Sequence, residues 1–448
     1  MRKVIKMFYI VESDVQIKLL ESFKNIPTFM DIISTHDLHH PKLTSTVAVY
    51  LRPLGREKGY IIPIAHDECI NIGKDRVHEV LKQFETLYTL DRKASLYHFN
   101  LRNTVDLSLM YSMKYYKKLE VPRSVSTYSW FYTKFADKAN INQLLPISKI
   151  LENSENVYNS VEKHMIELKP QSGFEFYNNL ATNIFFLIEQ NGISLEKENF
   201  REKYSLDNPQ YSINKGKILT SYNLYNSTSR PTNSFNSINF SALPKKGGFR
   251  ECYIPSNDSF IELDFDGYHI RLLCEQIGYE LTGESAHKQI AKTYFNKEEL
   301  TEEEYDLAKQ INFQALYGKI PSELANVRIF KLIQEYIDTL WKTYIEKGEI
   351  IAPISEKPFT SELKDMNPQK LMNYVMQSLE TSNNIVVLKE VLKYLQNKKT
   401  KIALYIYDAI VFDYSEEDGE DTIEDLKKIM ETNGKYPVKG KTSTNLVL

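Results

Sequence analysis

Three stretches of this chain combine a clear hydrophobic period with one or two polar residues placed where the period changes. In FIELDFDGYHIRLL (260–273), Phe260, Ile261 and Leu263 predict a buried strand. Tyr268, Ile270, Leu272 and Leu273 then follow Asp266 and Gly267 with helical spacing, so Asp264 falls at the strand end. In ALYIYDAIVFDY (403–414), two β-prone runs, Ala403 to Tyr407 and Ile410 to Phe412, meet at Asp408 and Ala409 and predict a tight hairpin with an acid at its tip. In YDLAKQINFQALYG (305–318), Tyr305, Lys309, Phe313 and Tyr317 recur every four residues and form one slowly drifting stripe on a helix. Gly318 ends that helix or lets a ligand approach its backbone. A further amphipathic helix is predicted over 176–200, closed by Asn191 and Gly192.

The polar residues in these patterns carry a coherent chemistry. Carboxylates on adjacent strand ends suit two Mg²⁺ ions roughly 3.5–4 Å apart, the arrangement that clamps the attacking and leaving oxygens of an in-line phosphoryl displacement. Lys309, a cation between aromatic rings, suits a triphosphate, while Phe313 and Tyr317 suit stacking on an incoming or templating base, worth about 1–3 kcal/mol per base. Each pattern alone is weak, because an acid after an apolar run is commonly a turn former and an aromatic stripe is commonly core.

In this order and spacing the three segments resemble motifs A, B and C of the family A (DNA polymerase I-like) DNA polymerases. TSRPTNSFNSINFSALPKKGGFRECYIP (228–255) is similar to the family's Thr-Gly-Arg segment, its Asn-Leu-Gln-Asn-Ile-Pro run and the basic stretch before motif A. NYVMQS (373–378) resembles its Asn-x-x-x-Gln helix. The resemblance implies a mixed α/β fold: palm and fingers with a reduced or absent thumb, preceded by an RNase H-like exonuclease-type domain. The first domain would span 1–170 and the polymerase domain 171–448, with a palm over about 211–285 and 370–448 and fingers over about 286–369. Its implied activity is template-directed addition of deoxynucleotides to a primer 3′-hydroxyl. Asp264, Asp408 and the carbonyl of Phe265 would hold two Mg²⁺ ions, or Mn²⁺, with Asp264, Asp408 and Lys309 the catalytic set. Lys309, Phe313, Tyr317 and His269 would contact the dNTP. Arg230, Asn239, Arg250, Arg271, Asn373, Gln377 and Tyr407 would contact primer–template DNA.

Departures from the pattern matter. Motif A normally reads Asp-Tyr-Ser-Gln-x-Glu-x-Arg, and the glutamate that gates against ribose is His269 here, which puts sugar selectivity in doubt. The motif B arginine one turn before Lys309 is Tyr305, so Lys309 needs help from another cation. Motif C usually reads His-Asp-Glu and here reads Tyr407, Asp408, Ala409, leaving Asp266 or Asp413 as partial substitutes for the accessory acid. Two alternatives therefore stand beside a strict DNA polymerase: the same scaffold with relaxed sugar choice, and a catalytically decayed nucleic-acid-binding subunit.

Toward the N-terminus, FMDIIST (29–35), GREKGYIIPIAHDE (55–68) and SLYHFNLRNTVDLSLMY (95–111) resemble the family's 3′–5′ proofreading exonuclease domain. Its acids are not kept: the expected Asp-x-Glu is Asp31, Ile32, Ile33, the next acid aligns with Thr104 while Asp106 lies two residues late, and Ser154 to Asn156 contain no aspartate. The resemblance thus implies an inert domain without proofreading. His36, Asp37, His39 and His40 lack the spaced partners of a structural zinc site and predict a polar surface loop. Only about 28 residues separate the 176–200 helix from Arg230, too few for the family's long helical thumb. Weak, salt-sensitive DNA binding follows, unless a processivity partner clamps the duplex.

Composition adds bounds. At 448 residues the chain has room for two or three domains. A net charge of −3 does not advertise nucleic-acid binding, although acidic surface such as SEEDGED (415–421) can mask a local basic track formed by Lys245, Lys246 and Arg250, or by Lys398, Lys399 and Lys401. Three scattered cysteines predict no disulfide and fit a reducing compartment. No window reaches the roughly 18 apolar residues of a membrane span, and the N-terminus is too charged for a secretory signal, so a cytoplasmic protein without membrane partners is expected. The abundance of Asn, Lys, Ile and Tyr suggests an AT-rich source such as a phage or mobile element.

Overall fold

The computed structural model describes residues 8–35, 40–122, 145–204, 211, 213–233, 238–282 and 285–448. Its first layer is a six-stranded sheet of β1 (Phe8–Ile10), β2 (Thr28–Ser34), β3 (Thr46–Pro53), β4 (Gly59–Pro63), β5 (Leu87–Thr89) and β6 (Thr104–Asp106), in the order β1-β4-β3-β2-β5-β6. β3 runs antiparallel to both its neighbours and the other pairs are parallel. Every residue of β3 is buried, because the sheet is covered on both faces. Tyr50 and Ile61 pack with Ile150 and Tyr158 of the helix Ile147–Glu167, while Val49, Leu51 and Ile62 pack with Val77 and Val80 of the helix Lys74–Leu81.

Three smaller sheets follow among the described residues. One joins β7 (Ile193–Leu195), β8 (Ile213–Asn214), β9 (Lys217–Ile218) and β10 (Tyr253–Ile254). The next strands are β11 (Ser259–Phe265), the β12–β13 hairpin (Glu349–Ile351 and Pro358–Thr360), β14 (Lys401–Ile406), β15 (Ala409–Tyr414) and β16 (Val438–Ser443). An antiparallel sheet in the order β14-β15-β11-β16 carries the predicted site residues. Period-two alternation sets its faces. Ile261, Leu263 and Phe265 face the core that includes Met376, Leu379 and Leu388 of the 27-residue helix Pro368–Tyr394. Phe260, one step along, packs instead with Leu195 and Tyr253 of the β7–β10 sheet. That second sheet covers the face only at the Phe260 end, so Glu262 and Asp264 further along are only part-buried.

The predicted strand, hairpin and Lys309 helix all form. The helix Glu302–Leu316 starts on a capping box, with Glu304 N–H donating to Thr301 Oγ1 (3.2 Å) and Thr301 N–H to the Glu304 carboxylate (3.0 Å). It ends before Gly318, whose φ of 72° suits glycine. The helix expected within 176–200 forms and ends where Asn191 and Gly192 were expected to close it. A π-helical turn (Phe176–Ala181) leads into a helix that stops at Glu189; Gly192 then turns the chain at φ 65° into β7, and a separate helix, Lys197–Lys203, follows. Between Gln190 and Arg230 that seven-residue helix is the longest among the described residues, in keeping with an absent thumb. No helix among the described residues is long and apolar enough to cross a membrane.

Gly173 fixes how the β12–β13 hairpin docks. It sits at φ 76°, and a Cβ there would lie 2.1 Å from the Ser355 carbonyl oxygen. Gly173→Ala is expected to destabilise the fold by roughly 1–3 kcal/mol, read as a lower midpoint in a circular-dichroism melt.

Candidate active site

β14 and β15 pair Ile406 with Ala409, so the hairpin tip is Tyr407–Asp408, one residue earlier than the sequence pattern placed it. Tyr407 takes a φ of 58°, a conformation that disfavours a residue with a bulky side chain. Three contacts hold it there. Its ring lies under the Arg230 guanidinium at 3.9 Å, its hydroxyl donates to Ser241 Oγ at 3.2 Å, and its carbonyl accepts from Asn384 Nδ2 at 2.7 Å. The turn aims Asp408 at β11, where the Asp408 carbonyl accepts the Phe265 N–H at 3.2 Å and Asp264 stands opposite Ala409. The two aspartates are thereby brought to neighbouring strand ends.

Their electrostatics is unfavourable without a cation. Partial burial, the Asp408 charge and then Glu262 push the Asp264 carboxyl up to about 7. Asp408 is also raised, by burial first and then by the Glu380 charge. Glu380 was not anticipated from the sequence. It lies on the long helix, buried, with Arg230 Nη2 and His269 Nε2 each 3.0 Å from its carboxylate. Burial raises its carboxyl, but the His269 and Arg230 contacts outweigh burial and leave it below its ordinary value. A signal was present, since Ser378, Glu380, Thr381, Ser382 and Asn384 cluster between the apolar positions Met376 and Ile385, and all are buried.

On the other side, Lys309 is half exposed, 4.5 Å over the Tyr305 ring and 4.0 Å from Asp306. Phe313 is 56% exposed, an open aromatic face, and meets Tyr317 edge-on at 5.4 Å. Tyr317 caps the helix and is half-buried. A second cation that the sequence reading did not name is Lys439 on β16, directly opposite Asp264, with its ammonium on the Asp266 carboxylate. Burial lowers the His287 pKa, opposed by Asp266 and assisted by Lys309 and Lys439, so both lysines act on one ring.

Several expectations are corrected. Arg271, expected to contact DNA, is buried, and donates to the Asp266 carbonyl (2.8 Å) and carboxylate (3.4 Å) and to the Thr282 carbonyl (3.3 Å). Asp413 does not replace the accessory acid, because it lies opposite Phe260 and its carboxylate accepts the Ser256 and Asn257 N–H groups. Asp266 is held by Lys439 and Arg271. Lys398 and Lys399 are engaged with Thr422 and Glu417, and Lys401 donates to the Lys398 carbonyl, so these three do not form a free track. Arg250 donates to the Leu243 carbonyl at 3.4 Å, and Asn239, which is exposed, accepts from Ser241. Asn373 and Gln377 bond to each other across one helical turn at 2.7 Å. His40 is buried rather than on a surface loop, 3.9 Å from Glu189, and burial and then Lys93 lower its pKa to about 3; His36, Asp37 and His39 lie outside the described residues.

In the N-terminal sheet, two of the positions expected to carry exonuclease acids, Asp31 and Ser154, are in contact. Ser154 Oγ donates to Asp31 at 2.8 Å. The neighbouring Glu155 takes Arg52 at 2.9 Å and the Tyr50 hydroxyl, and Arg52 also lies 4.9 Å over the Tyr158 ring. A guanidinium thus sits on this acid. Asp106 is fully committed as a helix cap and to the Arg92 N–H and the Tyr225 hydroxyl. Among the described residues no three His, Cys, Asp or Glu side chains are grouped to hold a metal, here or in the β11–β15 site.

No family model matches the chain. A curated relative, DNA polymerase I of Aquifex aeolicus (strain VF5), is 28% identical over 217 residues, spanning 41% of this chain and 37% of that protein. Among solved structures, the POL domain of Pol1 from M. smegmatis, in a complex with DNA primer-template and dNTP, superposes with a TM-score of 0.68 at 12% identity and covers 98% of this chain and 99% of that one. The fold is that of a DNA polymerase I-type POL domain.

Because the folded Asp264 carboxyl binds its proton more tightly than in the unfolded chain, the metal-free fold loses stability as pH rises from the ordinary carboxylate range through about 7. Asp264→Asn is therefore expected to raise the metal-free melting midpoint at pH about 8, by roughly 1 kcal/mol after discounting for solvent screening, with the gap closing in acid. Adding Mg²⁺ should raise the midpoint of the natural protein and not that of the variant.

Proposed function

We propose that this chain, built on the family A polymerase fold, is a DNA-directed DNA polymerase that adds deoxynucleotides to a primer 3′-hydroxyl, without proofreading. The observation that carries the reading is the placement of Asp264 and Asp408 on neighbouring strand ends beside a part-buried stretch of the palm sheet, with both carboxyls raised. Two acids that repel each other in a partly buried site fit a divalent cation. Asp264, Asp408 and the Phe265 carbonyl would hold Mg²⁺, with substrate phosphates completing its shell, and the ion would supply charge neutralisation at the transferred phosphoryl group.

The remaining roles fall to this chain's own residues. Lys309 meets the triphosphate as a point charge, and Lys439 stands near enough to share that task. Phe313 and Tyr317 offer stacking faces to the base pair being formed. Arg230, flat on Tyr407 beside Asp408, faces the primer end, with Asn239, Asn373 and Gln377 along the duplex. The solved neighbour's primer-template and dNTP supply the substrate class of this proposal. The palm would comprise about 211–285 and 370–448, the fingers about 286–369, and residues 1–170 an exonuclease-like support. Its strand order and the Asp31–Ser154 contact favour that origin, and the Arg52 cation beside Glu155 argues against metal-dependent excision. His269, part-exposed beside Glu380, keeps relaxed sugar choice as a second reading.

Extension of a labelled primer–template with Mg²⁺ tests the proposal. Asp264→Ala and Asp408→Ala should each lower extension by about 10³-fold or more. Binding of primer–template without extension by the natural protein would instead favour a decayed binding subunit. A mismatched 3′-terminal nucleotide should stay on the primer, and its release in an Asp31-dependent manner would refute the loss of proofreading. With no long thumb helix, products should be short and shorten further as salt rises.

A further inference from the structure

Glu380 stands out once the catalytic pair is assigned, because no step above uses it and yet it is the most completely buried charge at the site. Its side chain is 1% exposed, whereas both of its partners are partly exposed: Arg230 is 25% exposed and His269 13%. Arg230 continues to the Tyr407 ring and the hairpin tip. His269 stands on the first turn of the helix that follows Asp264, reached from β11 through the Gly267 turn. One carboxylate therefore joins the residue given above to the primer to the residue given to the nucleotide. The cost of burying a charge so completely is offset only while both partners stay in place, so each is held in a single orientation.

We propose that Glu380 is a positioning residue for nucleotide selection: it fixes the imidazole of His269 against the sugar of the incoming nucleotide, and does so from the carboxylate that holds Arg230 on Tyr407. The inference rests on the polymerase reading and deepens it. An imidazole turns freely about two side-chain bonds, and a free ring swings aside for an extra hydroxyl. Tied through Nε2 to a buried acid, it presents one fixed edge and excludes that hydroxyl. Selection here comes from an acid on the long helix acting through a histidine on the helix after β11.

The test is primer extension with dNTP and rNTP, comparing kcat/KM ratios. Glu380→Gln keeps the shape and removes the charge. It should lower discrimination against rNTP by about tenfold, while kcat with dNTP changes by about threefold or less. Glu380→Asp, which keeps the charge but withdraws it by one methylene, should fall between. His269→Gln should match Glu380→Gln, and the double variant should lose no more than either single one, since both remove the same contact. An unchanged dNTP-to-rNTP ratio in Glu380→Gln, or additive losses in the double variant, would overturn the proposal. A natural protein that extends with neither nucleotide would instead refute the polymerase reading on which it depends, a different and separable result.

Discussion

The site depends on forcing like charges together at the ends of two neighbouring strands. The backbone bond from Phe265 N–H to the Asp408 carbonyl, with the β11–β15 register behind it, fixes the backbones of Asp264 and Asp408 at neighbouring strand ends. The sheet can impose this because six register pairs hold β11 to β15 and six more hold it to β16. Burial and then the Asp408 charge raise the Asp264 carboxyl, burial and then the Glu380 charge raise that of Asp408, and the arrangement becomes useful when a divalent cation and a polyphosphate enter.

Around that pair the structure distributes compensating charge. Lys439 stands opposite Asp264 and takes Asp266, Arg271 takes Asp266 from within, and Arg230 and His269 take Glu380. The unfavourable backbone of Tyr407 is tolerated because ring, hydroxyl and carbonyl are each held by a different segment: 230, 241 and 384. The hairpin tip is thus specified by contacts remote in sequence rather than by its own residues.

The N-terminal layer shares in this rigidity. One apolar cluster runs without a break from Phe29, Tyr50 and Tyr158 through Phe185 and Tyr222 to Leu263 and Phe412. Tyr222 closes the link by donating to the Tyr405 carbonyl (3.1 Å) and accepting the Tyr405 N–H (2.8 Å), one strand residue from the tip region. A layer whose Glu155 is paired with Arg52 still braces the strand that leads to Asp408.

The chain's local patterns were enough to determine the β11 strand, the hairpin, the capped Lys309 helix and the aspartate at each strand end, because period, turn residues and caps act over a few neighbours. They also indicated how short the stretch before Arg230 is, which is a matter of length. What the pattern left undecided was which polar side chain faces which. Arg230 and Arg271 are alike in sequence, yet Arg230 reaches the cleft and Arg271 is locked on Asp266; Asp413 looks like a spare ligand and is a backbone anchor. Glu380, from the long helix, and Lys439, from the last strand, are brought to the site only by packing. Apart from Arg271 with Asp266, such pairings join residues more than a hundred positions apart, and only the assembled sheet and helices set the burial that makes each charge require its partner.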